Sequence, residues 1–160
     1  MLRTGAVQLV VDVRTVPRSR TNPQYNFDVI AGELGVWQVG YERMAALGGL
    51  RGRSDVPAEV NGYWENQSFH NYADYALSDE FQRGLEQLLA IAAERSTAIM
   101  CAEAVWWRCH RRIIADYLML RGRNVLHLMG EGRAEPARMT PGAEERDGRL
   151  VYPAPNAIAD

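Results

Sequence analysis

The sequence predicts an α/β fold with a mostly parallel sheet, because short strand-like apolar runs alternate with longer amphipathic stretches and glycine or proline stands at most joints. The first run, Val7-Gln8-Leu9-Val10-Val11-Asp12-Val13-Arg14, is rich in β-branched residues and almost continuously apolar, the pattern of a strand covered on both faces. It runs into polar loop material, Pro17-Arg18-Ser19-Arg20-Thr21-Asn22-Pro23. Asn26 is placed to cap a short helix over 27–34, with Gly35 as its stop. Residues 36–41 read as a second strand, followed by the glycine-rich Leu47-Gly48-Gly49-Leu50-Arg51-Gly52-Arg53.

Residues 51–67 hold Pro57 and Gly62 without a sustained period, so they read as a surface loop long enough to suggest function. Phe69, Tyr72 and Ala76 then share one face of a helix over 68–76. A stronger helix starts at Ser78, with Leu85, Leu88, Leu89 and Ala92 at three- and four-residue spacing. Residues 97–101 read as a third strand, 111–121 as a long helix closed by Gly122, and 124–128 as a fourth strand. From Gly130 onward, Pro136, Pro141, Pro153 and Pro155 predict a tail that wraps the surface. A length of 160 residues fits one domain spanning 1–160.

Composition narrows the function classes. Nothing approaches the roughly 18 consecutive apolar residues of a membrane span, and the N-terminal apolar run is broken by Gln8 and Asp12, unlike a signal peptide. A cytoplasmic, reducing location is the expectation, in which Cys101 and Cys109 are thiols free for chemistry. The net charge of −2 gives no bulk signal for nucleic acid. All 18 basic residues are arginine, which excludes a lysine Schiff base and leaves anion recognition to guanidinium groups and backbone N–H.

In a parallel sheet, ligands bind beyond the carboxyl ends of the strands. Two segments reach that edge: Asp12-Val13-Arg14 with Arg18 and Arg20, and Cys101 through Arg112. If their strands are neighbours, Asp12, Arg14, Arg18, Arg20, Cys101, Cys109 and His110 share one crevice. A cysteine beside a helix N-terminus, flanked by Arg108, Arg111 and Arg112, favours the thiolate. Glu103 is a candidate to orient or accept a proton from a thiol or from His110, or else an arginine partner. His110 is a candidate acid or base, and Trp107, beside Trp106, a stacking surface for a flat ligand. Cys101, Cys109, His110, His70 and His127 are soft ligands, yet Cys-x7-Cys-His matches no familiar short-spaced metal pattern, so neither metal nor cofactor is expected.

Several motifs occur together in order: Asp12-Val13-Arg14, Pro17 with Ser19-Arg20, Leu47-Gly48-Gly49, Phe69 with Tyr72-Ala73-Asp74-Tyr75, Met100-Cys101-Ala102-Glu103, Cys109-His110-Arg111, Gly122 with Val125 and His127, Thr140-Pro141 and Tyr152-Pro153. The chain carrying them resembles the bacterial domain of unknown function 488 family. The resemblance implies a three-layer α/β/α sandwich of Rossmann-like type and no established reaction. Members usually begin with an extra strand bearing a Thr-Ile-Gly-His-Ser type motif before a helix, so this chain is expected to lack the family's first strand. The order Asp-Val-Arg strand, cysteine-ended strand, loop and helix also resembles rhodaneses and cysteine phosphatases. The loop from Ala102 to Arg108, however, has no glycine to form their tight N–H cradle.

Three functions compete. The first is a thiol-dependent enzyme with Cys101 as nucleophile or persulfide carrier, Cys109 as resolving thiol, His110 as acid/base and Arg14, Arg18 and Arg111 holding an anionic small molecule or nucleotide. The second is a non-catalytic module binding a nucleotide or nucleic-acid end through arginines and a tryptophan. The third is a Cys101–Cys109 redox sensor.

Overall fold

The computed structural model describes residues 1–155. Three strands, β1 (Leu9–Asp12), β2 (Gly40–Arg43) and β3 (Thr97–Met100), form a parallel sheet in the order β2-β1-β3. Leu9 stands level with Gly40 on one side and Thr97 on the other. The central strand is β1, and all four of its residues are buried, as its apolar run requires.

Successive side chains of a strand point to opposite faces. Leu9, Val11 and Val13 enter the main core, which is closed by α2 (Gln67–Ala76), α3 (Asp79–Glu94) and α4 (Arg111–Leu120). Val10 faces the other way, lining a cavity of about 850 Å³ together with Ile30 and Leu34 of α1 (Phe27–Val36). The result is a three-layer α/β/α, Rossmann-like core. The helix caps follow local chemistry. Asn66 accepts hydrogen bonds from the Ser68 and Phe69 N–H groups, and the Ser78 hydroxyl accepts from Phe81 N–H. No helix among the described residues is long and apolar enough to cross a membrane.

Three local features differ from the sequence reading. Asn26 does not cap α1 with its side chain, which instead accepts a 2.6 Å bond from Ser19 N–H. The helix also runs through Gly35 to Val36, and Gln38, at φ 58°, takes the left-handed turn beyond it, so the second strand starts at Gly40 and not at 36. The fourth strand, β4 (Leu126–Gly130), lies outside the parallel sheet and pairs antiparallel with β5 (Arg133–Pro136). Gly130 and Gly132, at φ 133° and 71°, turn the chain straight back, so that β5 returns alongside β4 as its antiparallel partner.

The segment after Gly130 contributes to the core besides covering the surface. Strands β6 (Glu144–Arg146) and β7 (Arg149–Val151) form a hairpin across Asp147-Gly148, whose positive φ values of 51° and 77° match a type I′ turn. This hairpin carries Leu150 and Tyr152 into the main core. The part of the expected tail at 156–160 lies outside the described residues.

Candidate thiol site

Cys101 is the first residue beyond β3. The chain then loops through a single turn at Trp106–Arg108 and returns with Cys109 and His110 immediately before α4. That return brings the Cys101 and Cys109 sulfurs and a ring nitrogen of His110 within 4.8 Å of one another. Cys109 is buried and Cys101 half-buried.

Polar hydrogens converge on Cys109. Arg111 donates to its Sγ from the main-chain N at 3.4 Å and from Nε at 3.3 Å. Cys101 Sγ accepts one main-chain bond, from Glu103 N–H at 3.2 Å. The hydrogen bond from Cys101 holds the Cys109 thiol far below the ordinary range, aided by His110 and the Arg111 N–H and opposed by burial. The same bond, together with burial, pushes the Cys101 thiol up. Both directions favour the thiolate at Cys109 over Cys101, and the N-terminal dipole of α4 acts in the same sense.

His110 is clamped from three sides. Its Nε2 lies 2.9 Å from the Val13 carbonyl, which can only accept, so Nε2 carries the hydrogen. Nδ1 then faces Cys109 Sγ at 3.5 Å. The Tyr72 ring stands edge-on at 4.9 Å, and a Cβ at Gly49 would fall 2.4 Å from Nδ1. Gly49 is thus the only residue type that lets the imidazole sit where it does.

A crevice of about 380 Å³ opens over these groups. Its walls include Cys101, Cys109, His110, Glu103, Arg14 and Arg108, joined by Thr15, Gly49, Ser68 and Phe69. Asp12 lies beneath it, fully buried. Its carboxylate takes Arg14 Nε at 2.9 and 3.0 Å, Arg14 Nη2 at 2.7 Å and the Tyr41 hydroxyl at 2.5 Å. Arg14 Nη2 also donates to the Tyr25 carbonyl at 2.7 Å. Burial, with the Asp12 carboxylate second, pushes the Tyr41 hydroxyl up to about 12. The pair Asp12–Arg14 is a strut, and Arg14 forms part of the crevice wall.

The remaining residues singled out in the sequence take other places. Glu103 contributes its main chain, the N–H to Cys101 and the carbonyl to Arg111 Nη2 at 2.7 Å. Arg111 stands behind the sulfurs. Arg18 pairs with Asp28 at 3.7 Å and lies over Phe27, away from the crevice. Arg20 is exposed and is not part of the crevice wall. Trp107 is half-exposed and packs edge-on against Trp106, which stacks on His127 at 4.2 Å. His70 pairs with Asp74 at 3.6 Å, so neither outer histidine joins the thiols. Sequence reasoning missed Thr15, Ser68 and the contact of Gly49 with His110; the Gly48-Gly49 pair was the visible signal for the last.

Fold and site together define a three-layer α/β domain with a paired-thiol, histidine-flanked centre between the end of one strand and the start of a helix. The chain belongs to the family described as Domain of unknown function DUF488, whose model matches residues 1–118. No curated protein and no solved structure matches the chain.

Proposed function

We propose that the protein is a thiol-dependent enzyme acting on a small anionic molecule in the crevice, with Cys109 as nucleophile and Cys101 as proton donor. The observation that carries this reading is the convergence of two Arg111 donors on Cys109 Sγ, with Cys101 close by. The Cys109 sulfur adds to an electrophilic atom of the substrate, and the Cys101 S–H gives its proton to the leaving group. Negative charge on the substrate meets Arg108 and Arg14 in the crevice wall. Reading the sequence alone assigns attack to Cys101; the donor pattern favours the opposite assignment.

The test is alkylation of the reduced, chelator-treated protein with one equivalent of iodoacetamide at about pH 6, where an ordinary thiol is almost wholly protonated. Peptide mapping is expected to find the label on Cys109, in the unaltered chain and in Cys101→Ser, whose hydroxyl still donates. Label on Cys101 instead, or on neither cysteine, overturns the assignment.

A further inference from the structure

We propose that Cys101, Cys109 and His110 form a binding site for a thiophilic divalent cation of the zinc type, with three protein ligands and a fourth position open to the crevice. The first argument is distance. Zinc bonds of about 2.3 Å to sulfur and 2.0–2.1 Å to nitrogen at tetrahedral angles require a sulfur-to-nitrogen edge of roughly 3.5 Å and a sulfur-to-sulfur edge of roughly 3.8 Å. Cys109 Sγ and His110 Nδ1 are 3.5 Å apart, and all three ligand atoms lie within 4.8 Å.

The second argument is the surroundings of the imidazole. A ligating histidine characteristically donates its other ring N–H to a backbone carbonyl or carboxylate, which fixes the tautomer and aims the free nitrogen at the metal. His110 has this arrangement, with Nε2 donating to Val13 and Nδ1 turned to the sulfurs. The third is donor chemistry. Two sulfurs and an imidazole, with no carboxylate oxygen in the cluster, select a soft or borderline cation over magnesium or calcium. Two thiolates also neutralise a divalent charge, and the Glu103 and Arg111 N–H groups hold the sulfurs in place from behind.

On binding, the thiols give up their remaining protons to solvent and two metal–sulfur bonds and one metal–nitrogen bond form. The Cys-x7-Cys-His spacing concealed this set because the seven-residue loop folds back, placing residues eight apart in sequence side by side. Metal binding uses the sulfurs proposed for the enzyme but does not require them to attack anything. An occupied site masks Cys109, so zinc is expected to inhibit thiol chemistry there.

The experiment is a cobalt(II) titration of the reduced, chelator-treated full chain. Thiolate-to-cobalt charge-transfer and tetrahedral visible bands should saturate at one equivalent, disappear on adding zinc, and weaken at least tenfold in apparent affinity in Cys101→Ser. On the unaltered protein, zinc should protect both cysteine peptides from excess iodoacetamide at about pH 8, where ordinary thiols also react, a readout that needs no variant to fold and does not depend on the labelling at about pH 6. Absence of the thiolate–cobalt bands, bands unchanged in Cys101→Ser, or equal alkylation with and without zinc each overturns the site. The two proposals fail separately: a metal-free protein that is not labelled on Cys109 leaves the cobalt bands standing, and missing bands leave the labelling standing.

Discussion

His110 donates from Nε2 to the carbonyl of Val13 at 2.9 Å, a bond that spans 97 positions of sequence and ties the head of α4 to the end of β1. Everything else about the histidine follows from it. With Nε2 committed, Nδ1 is the only ring nitrogen left for Cys109, and the ring plane is fixed by Tyr72 on one side and Gly49 on another. The placement of the site is therefore a property of strand pairing as much as of the cysteine loop.

Gly49→Ala is expected to disturb this arrangement more than any other single methyl group. The new Cβ would lie 2.4 Å from Nδ1 and 2.7 Å from Cε1, distances at which something must move. Overpacking of this kind lowers stability by roughly 1–3 kcal/mol. Urea unfolding should show that loss, and nitrogen NMR of the His110 ring should show the Nε2–H hydrogen bond weakened. An unshifted ring spectrum would mean that the loop yields instead.

The Asp12–Arg14 strut should be among the most sensitive features of the domain. Asp12 is 0% and Arg14 7% exposed, and removing one partner leaves the other charge buried without compensation. Arg14→Ala is expected to lower unfolding free energy by about 3–5 kcal/mol. Tyr41→Phe, which removes one neutral donor from the same carboxylate, should lower it by about 1–3 kcal/mol. Equal losses for the two variants, measured by denaturant unfolding, would contradict a charge-paired strut.

Asp116 contributes a pH dependence of its own. Burial raises its carboxyl above the ordinary value of 3.8, although the Thr140 N–H and hydroxyl and the Tyr152 hydroxyl act in the opposite direction. A raised native value means that the folded state holds the proton more tightly than the unfolded chain. Its contribution to stability is then full below the ordinary carboxylate value and is lost as pH rises through the native one. Asp116→Asn keeps an acceptor for the Thr140 N–H and removes this titration. Stability curves of the two proteins from about pH 3 to pH 7 should therefore move in the variant's favour as pH rises. A constant difference across that range would show that Asp116 does not titrate differently in the folded protein.

Much of the core was legible in the sequence. The apolar run at β1, the Ser78 cap and the three-four spacing of Leu85, Leu88 and Leu89 are local signals of burial, and each is realised. What local pattern could not convey was partnership. An apolar segment such as Leu126–Gly130 declares a strand but not its neighbour, and the neighbour was settled by two glycines that follow it. The site shows the same limit. Cysteine, histidine and arginine identities mark the region, while the way the folded loop sets Cys101, His110 and the two Arg111 donors around Cys109 is a spatial relationship with no sequence signature. Arg18 and Arg20 lie close to the site in sequence and away from it in space, because the loop after β1 turns toward α1, where Arg18 meets Asp28.

Tyr152, at the end of the last hairpin, is wholly buried and donates its hydroxyl to Asp116 on α4 at 2.9 Å. The match to the family model, residues 1–118, therefore stops short of the segment that fills the core from the far end of the chain. During synthesis the first strands and helices leave the ribosome with that seat vacant, because the hydroxyl that Asp116 accepts from follows it by 36 positions. The core consequently completes only after residue 152 has emerged, and until then the apolar surface that Leu150 and Tyr152 cover stays open to neighbouring chains.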